Sequence, residues 1–299
     1  MTKIVDLFGF DVTAPSQPDW QAVVKAQHCP YVDRRCYKVR KSQPEISIGT
    51  CTVQYGGDPI IICPLRLLDR RQIFTDCLHL LTGHEPGNEL HLISELSVPG
   101  GSIDYVLASI REGKVRDFVG IELQTLDTTG TVWPERQRFL QERRFSHNQG
   151  FFELAQADLD NSKSFGMNWK MTAKTILVQL HHKIHTFEGV NKRLVLVVQD
   201  RLLSYMAKEF SFAHLNDARI ADPMHFHPYG LKSTKDGHRL ELGRRLSTDA
   251  DGIAKCLGLQ VDPKVDLEVI LSSIEQKITT RTLFNFNETP PPVSVDLDE

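Results

Sequence analysis

Residues 102–126, SIDYVLASIREGKVRDFVGIELQTL, constrain the fold more than any other stretch of this chain. Two runs rich in β-branched and aromatic residues, SIDYVLASI and VRDFVGIELQTL, flank a short polar turn at Arg111 to Lys114. That pattern reads as a β-hairpin. Downstream, NWKMTAKTILVQLHHKIHTF has the apolar spacing of a helix. KRLVLVVQDRLL is a near-continuous apolar run bounded by charges, as a strand buried on both faces requires. Strand, strand, helix, strand is the order of an α/β core with a mixed sheet flanked by helices.

The hairpin also carries chemistry. If it is centred on Gly113, Asp104 and Glu122 fall opposite each other, with Cβ atoms about 5 Å apart. Gln124 lies two residues beyond Glu122 and points to the same face. Close carboxylates repel unless a cation or a proton sits between them. Mg²⁺ suits such a site, because it uses one or two carboxylates and leaves positions for water and phosphate oxygens. An ion held there makes hydroxide from bound water and offsets charge on a phosphoryl group. Glu95 precedes Asp104 across the turn VPGG and is placed to fold back as a further ligand or a base.

Four of the six cysteines, Cys29, Cys36, Cys51 and Cys63, fall within 35 residues. Cys29 and Cys63 each precede a proline and Cys51 follows Gly-Thr, so bends fall at the thiols. Four thiolates form a closed tetrahedral site for zinc or iron, and the spacing does not choose between the metals. The alternative is four small buried apolar residues. Cys77, in an apolar helical pattern, and the isolated Cys256 read as core. Around these thiols Arg34, Arg35, Lys38, Arg40 and Lys41 form a basic loop, either a DNA-contacting surface or a solvated face.

The chain has 299 residues, enough for one large or two moderate domains, and at 40% hydrophobic and 24% charged residues it reads as globular with a proper core. No stretch approaches a membrane span, and MTKIVDLFGFDV does not read as a secretory signal. An intracellular, cytoplasmic setting is expected, where clustered cysteines are more often metal ligands than disulfides. The formal charge of −3 gives no basic excess. The tail from Asn287 holds four acidic residues and no basic one, so setting it aside takes the charge from −3 to +1. Local basic patches then decide any nucleic-acid contact.

Taken in order, FGF at Phe8 to Phe10, CP at Cys29, Cys36, GTC ending at Cys51, IICP ending at Pro64, GGSIDYVLA, IELQTLDTTGTVWPE and NWKMTAKT resemble the NotI-like family of type II restriction endonucleases. The resemblance covers roughly residues 5 to 230. It implies a PD-(D/E)XK restriction-endonuclease-like core, a mixed sheet flanked by helices, with an N-terminal four-cysteine metal-binding subdomain. It maps iron onto Cys29, Cys36, Cys51 and Cys63, and the catalytic Mg²⁺ onto Asp104 and Glu122. Gln124 stands where most of that superfamily has lysine. Gln is neutral and serves neither as cation nor as base. The resemblance also implies a homodimer cutting double-stranded DNA at a palindrome. No small-molecule cofactor is expected.

These readings divide the chain into a four-cysteine region (1–85), a nuclease core (86–215), a C-terminal helical region (216–286) and a disordered acidic tail (287–299). The leading expectation is a Mg²⁺-dependent, sequence-specific DNA endonuclease. The first alternative, prompted by Gln124, is a non-catalytic, metal-stabilised DNA-binding protein with a degenerate nuclease core. The second is a metal hydrolase of small phosphate esters built on His225 and His227, in DPMHFHPYG, which otherwise reads as a turn with ordinary polar contacts. His181, His182 and His185 read as the surface of an amphipathic helix. Arg136, Arg138, Arg143 and Arg144 read either as DNA-backbone contacts or as a mixed solvated helix.

Overall fold

The computed structural model describes residues 3–143, 165–235 and 237–259. Arg144, residues 260–286 of the expected C-terminal helical region and the tail from 287 lie outside them. In chain order the first elements are β1 (Ile4–Leu7), β2 (Phe10–Asp11), α1 (Trp20–Ala26), β3 (His28–Cys29), β4 (Arg34–Arg35), β5 (Val39–Arg40), β6 (Gln43–Ser47), β7 (Thr50–Tyr55) and β8 (Asp58–Ile61). A 3-10 helix (Pro64–Arg71) and α2 (Gln72–Cys77) follow. Next come β9 (Glu89–Val98), β10 (Gly101–Arg111), β11 (Lys114–Gln124), β12 (Thr128–Thr129), α3 (Trp133–Glu142), β13 (Gly166–Met167), α4 (Trp169–Gly189), β14 (Arg193–Gln199) and α5 (Asp200–Glu209). The last are β15 (Asn216–Asp217), β16 (Met224–Thr234), β17 (Gly237–Leu242), β18 (Leu246–Thr248) and α6 (Ala250–Cys256).

The main sheet has eight strands in the order β15-β18-β16-β14-β11-β10-β9, with β17 pairing β16. It is mixed: β11, β14 and β16 run parallel, and β9, β10 and β11 antiparallel. Helix α4 lies in the connection from β11 to β14, and α5 in that from β14 to β16. The parallel pairs need such crossovers. Both faces are covered. On one, Leu194, Leu196 and Val198 pack with Ile176, Leu180 and Phe187 of α4 and Leu202 and Met206 of α5. On the other, Val195 and Val197 pack with Leu67, Ile73 and Leu80. That double burial explains why β14 is apolar at consecutive positions. A smaller sheet, β2-β1-β7-β8, carries the N-terminal part.

The hairpin forms as its sequence requires, with one correction. Arg111 pairs Lys114 across Glu112 and Gly113, both at positive φ (53° and 71°), as a two-residue hairpin loop demands. The turn is therefore centred between Glu112 and Gly113, and that register alone would set Asp104 opposite Ile121. After Ile110–Val115 the next pair is Ser109–Asp117, so Arg116 is an extra residue and the register shifts by one. Tyr105 then pairs Ile121, which brings Asp104 alongside Glu122.

The C-terminal part differs more. Among its described residues, 216–259, four strands extend the sheet and α6 is the one helix. DPMHFHPYG is not a turn: β16 runs through it, with Met224 to Tyr229 buried. Histidine and proline mask this strand, and pairing with β14 and β18 makes it. Arg136 is likewise in the core, 1% exposed, donating through Nε to the Ile48 carbonyl (2.8 Å) and stacking on Trp133. It is not a DNA contact. His181, His182 and His185 do lie on the outer part of α4. No helix among the described residues is long and apolar enough to cross a membrane.

Candidate active site

Asp104 and Glu122 project from adjacent strands, and the environment of each is set by its neighbours. Asp104 Oδ2 accepts the Leu123 N–H at 2.8 Å. Burial pushes its carboxyl above the usual range, the Leu123 N–H and the charge of Lys183 oppose this, and the charge of Glu95 adds to it. Glu122 is 3% exposed. Burial raises its carboxyl to about 7; the hydrogen bond from Lys183 opposes this and the charge of Asp104 adds to it. A site that holds carboxylates away from water is primed for a cation.

Asp104 opens onto a cavity of about 560 Å³ lined also by Arg34, Tyr37, Glu95, Tyr105 and Gln124, among others. Glu95, Asp104 and Gln124 thus meet at one opening, and Glu122, buried on the strand beside Asp104, does not line it. Glu95 is exposed on β9 and adopts φ 56°, a left-handed conformation that a non-glycine residue holds only under constraint. The flanking pairs Ile103–Leu96 and Tyr105–Ser94 put it across from Asp104.

The opposite wall comes from the cysteine region: Val32, Arg34 and Tyr37 around Cys36, and Pro64 and Leu65 after Cys63. Cys29, Cys36, Cys51 and Cys63 are all buried and line one small cavity of about 10 Å³. Backbone bonds tie their segments together, from Cys63 N to Cys51 O (3.3 Å) and from Cys36 N to Gln27 O (2.8 Å). No three of their sulfurs approach within 4.8 Å of one another. A hydrogen bond from Cys51 and the charge of Lys38 bring the Cys63 thiol down to about 6 against the effect of burial. Cys77 and Cys256 are buried elsewhere in the core.

The basic loop is divided by the structure. Lys38 Nζ donates to the Ile62 carbonyl (2.6 Å) and Arg35 to the Pro44 carbonyl (3.2 Å). Arg40 donates to Gln43 and stacks over Trp133. These three brace the cysteine region. Arg34 and Lys41 are exposed, and Arg34 alone of the five lines the cavity of Asp104.

More than two-thirds of the chain, residues 26–242, matches the family model for restriction endonuclease NotI. The chain belongs to the NotI restriction endonuclease family. No curated protein matches it. Membership makes it a restriction endonuclease, a site-specific deoxyribonuclease acting on double-stranded DNA. The non-catalytic alternative gives way to that assignment. The phosphate-ester hydrolase built on His225 and His227 fails on geometry, since both rings are 0% exposed within the sheet and no substrate reaches them.

One residue in contact with the candidate site escaped the sequence reading. Lys183 Nζ donates to Glu122 Oε1 at 2.8 Å, with 10% of the lysine side chain and 4% of the glutamate side chain exposed. Its signal was present. Lys183 follows Ile176 and Leu180 at helical spacing and precedes Phe187, so it occupies the apolar stripe of α4. A lysine there needs a buried partner. A second unforeseen cluster, Asp6, Asp11 and His238, brings three ligand atoms within 4.8 Å. Arg66 (3.0 Å) and Thr52 (2.6 Å) already hold Asp6, and His238 holds Asp11 at 2.6 Å, which makes it an internal network.

Proposed function

We propose that this restriction endonuclease is a Mg²⁺-dependent type II enzyme of PD-(D/E)XK type that cuts a palindromic site as a homodimer. The observation that carries the reading is the meeting of Asp104, Gln124 and Glu95 at one cavity, with the buried Glu122 beside Asp104 on the neighbouring strand. Asp104 and Glu122 are the ligands of the ion, and their hard oxygens fit it. Mg²⁺ bound there supplies a water of lowered pKa and offsets charge on the scissile phosphate. Gln124 is neutral and bears both a donor and an acceptor, which suits it to orient the attacking water or a phosphate oxygen. Glu95, exposed at the rim, receives a proton or completes the ligand set. Arg34, on the facing wall, binds a DNA phosphate.

The four cysteines hold a structural iron, with zinc as the alternative. What supports this is the donor set, four buried cysteines that line one small void; their sulfurs, no three of which lie within 4.8 Å of one another, would have to draw together on the metal. When bound, the metal crosslinks the loops that carry Arg34 and Tyr37. Two-fold protein symmetry matches a palindromic duplex. The outer edge of β9, with Leu90, Leu92, Ile93 and Leu96 exposed, offers apolar surface to a second copy.

The test is a digest of long unmethylated GC-rich genomic DNA with Mg²⁺, with Asp104→Ala alongside and the fragment ends sequenced. The expected result is discrete ends sharing one palindrome, absent from the variant and from metal-free reactions. Full cleavage by Asp104→Ala sinks the assignment of the site. Ends without a common palindrome sink the type II reading.

A further inference from the structure

The charges of this site do not balance without Lys183. Asp104 and Glu122 lie side by side and Glu95 sits across from Asp104, so three acids surround the place where an anionic phosphodiester must react. Gln124, at the mouth of the cavity, adds no charge. Among the described residues, Lys183 is the one base in ion-pair contact with Asp104 or Glu122.

The fold goes to some length to put it there. The β9–β10 turn clamps the helix. Thr186 Oγ1 donates to the Pro99 carbonyl at 2.8 Å, and Gly100, at φ +95°, lies so close that a Cβ would meet the His182 carbonyl oxygen at 2.6 Å. At Gly101 a Cβ would come to 3.2 Å from Lys183 Cε. Gly100 therefore lets the turn lie close against the backbone of α4, and Gly101 leaves room for the lysine side chain. Stability alone does not explain the pair. Desolvating two buried charges can cost as much as their attraction returns, and an apolar pair of similar volume would serve as well.

We propose that Lys183 is a positioning residue that supplies, from helix α4, the positive charge that Gln124 does not bring to the strand. It holds Glu122 Oε1 and leaves the other carboxylate oxygen for a ligand shared with Asp104 on the neighbouring strand. It also offsets part of the acid cluster when the DNA phosphate arrives. This rests on the nuclease reading of the site.

Relocating the charge tests it. Lys183→Gln keeps a hydrogen-bond donor for Glu122 and removes the charge, and Lys183→Arg keeps the charge. In the full-length protein Lys183→Gln lowers the cleavage rate on the order of 100-fold with DNA affinity little changed, and Lys183→Arg retains most of the rate. Adding Gln124→Lys to Lys183→Gln restores cleavage at least tenfold, because the ammonium then projects from the strand beside Glu122. A structural role would not produce that rescue. Thermal unfolding of each variant shows which are folded. If Lys183→Gln does not fold, the double variant and Lys183→Arg carry the test, and loss of cleavage in either as a folded protein overturns the proposal. Wild-type cleavage by folded Lys183→Gln overturns it, as does a folded double variant without rescue. Wild-type protein that cuts no DNA refutes the nuclease reading itself.

Discussion

Lowering the pH from 7.5 to 5 should destabilise this protein through two histidines. His225 and His227 are 0% exposed on β16. His225 Nδ1 and His227 Nε2 have no hydrogen-bond partner. Burial is the main reason that His225 is held at about 4 and His227 at about 3; for His227 the charges of His225, Arg245 and His79 act in the same direction. The folded state therefore keeps both rings neutral, whereas the unfolded chain protonates them near the ordinary value of about 6.5. With the folded value depressed, this contribution is complete above about 6.5 and is lost as pH falls toward 4. At pH 5 each ring costs about 2 kcal/mol, so the pair costs about 4 kcal/mol, a large share of the roughly 5–15 kcal/mol that holds a domain together. Urea unfolding at both pH values measures the loss, and the same pair of experiments on His227→Leu isolates the cause. The variant should lose about 2 kcal/mol less between pH 7.5 and 5 than the wild type. An equal loss in the two proteins would refute the reasoning.

Other outcomes follow from the site. Gly100→Ala places a methyl against the His182 carbonyl in a backbone region that L-residues avoid, so it should cost about 1–3 kcal/mol in urea unfolding and slow cleavage, because α4 carries Lys183. Arg34→Gln, at an exposed position, should leave the thermal midpoint nearly unchanged and lower the cleavage rate about tenfold; an unchanged rate removes Arg34 from the phosphate site. Elemental analysis should find one iron or zinc per chain, lost in Cys51→Ser together with a clear fall in the thermal midpoint. A metal-free, equally stable wild type would make the four thiols ordinary core.

The carboxylate pair was legible because its geometry is nearly local. Alternating apolar residues specify two strands, Glu112 and Gly113 turn them, and strand periodicity places Asp104 near Glu122 and aligns Gln124 with it. Even so, the register depends on Arg116 bulging out, a shift that no propensity of that stretch announces. The order strand, strand, helix, strand was equally readable, since β14 and α4 bury so much apolar surface that their periods are unmistakable. β16 was not, because its histidines and proline are strand residues only by virtue of β14 and β18 on either side.

Local sequence thus determined the hairpin, its acids and the clustered thiols, each a matter of residues close in the chain. Only the tertiary structure decided what faces them. Arg34 arrives from β4, some seventy residues upstream of Asp104, and Lys183 from a helix some sixty residues downstream of Glu122. Such encounters depend on how layers pack, and packing is chosen by the total burial of the chain rather than by any stretch of it. Burial also reverses the meaning of a residue type. Arg136 and His227 look like surface chemistry in the sequence and are core in the fold, while Lys183, on an apolar stripe, pairs with the buried Glu122.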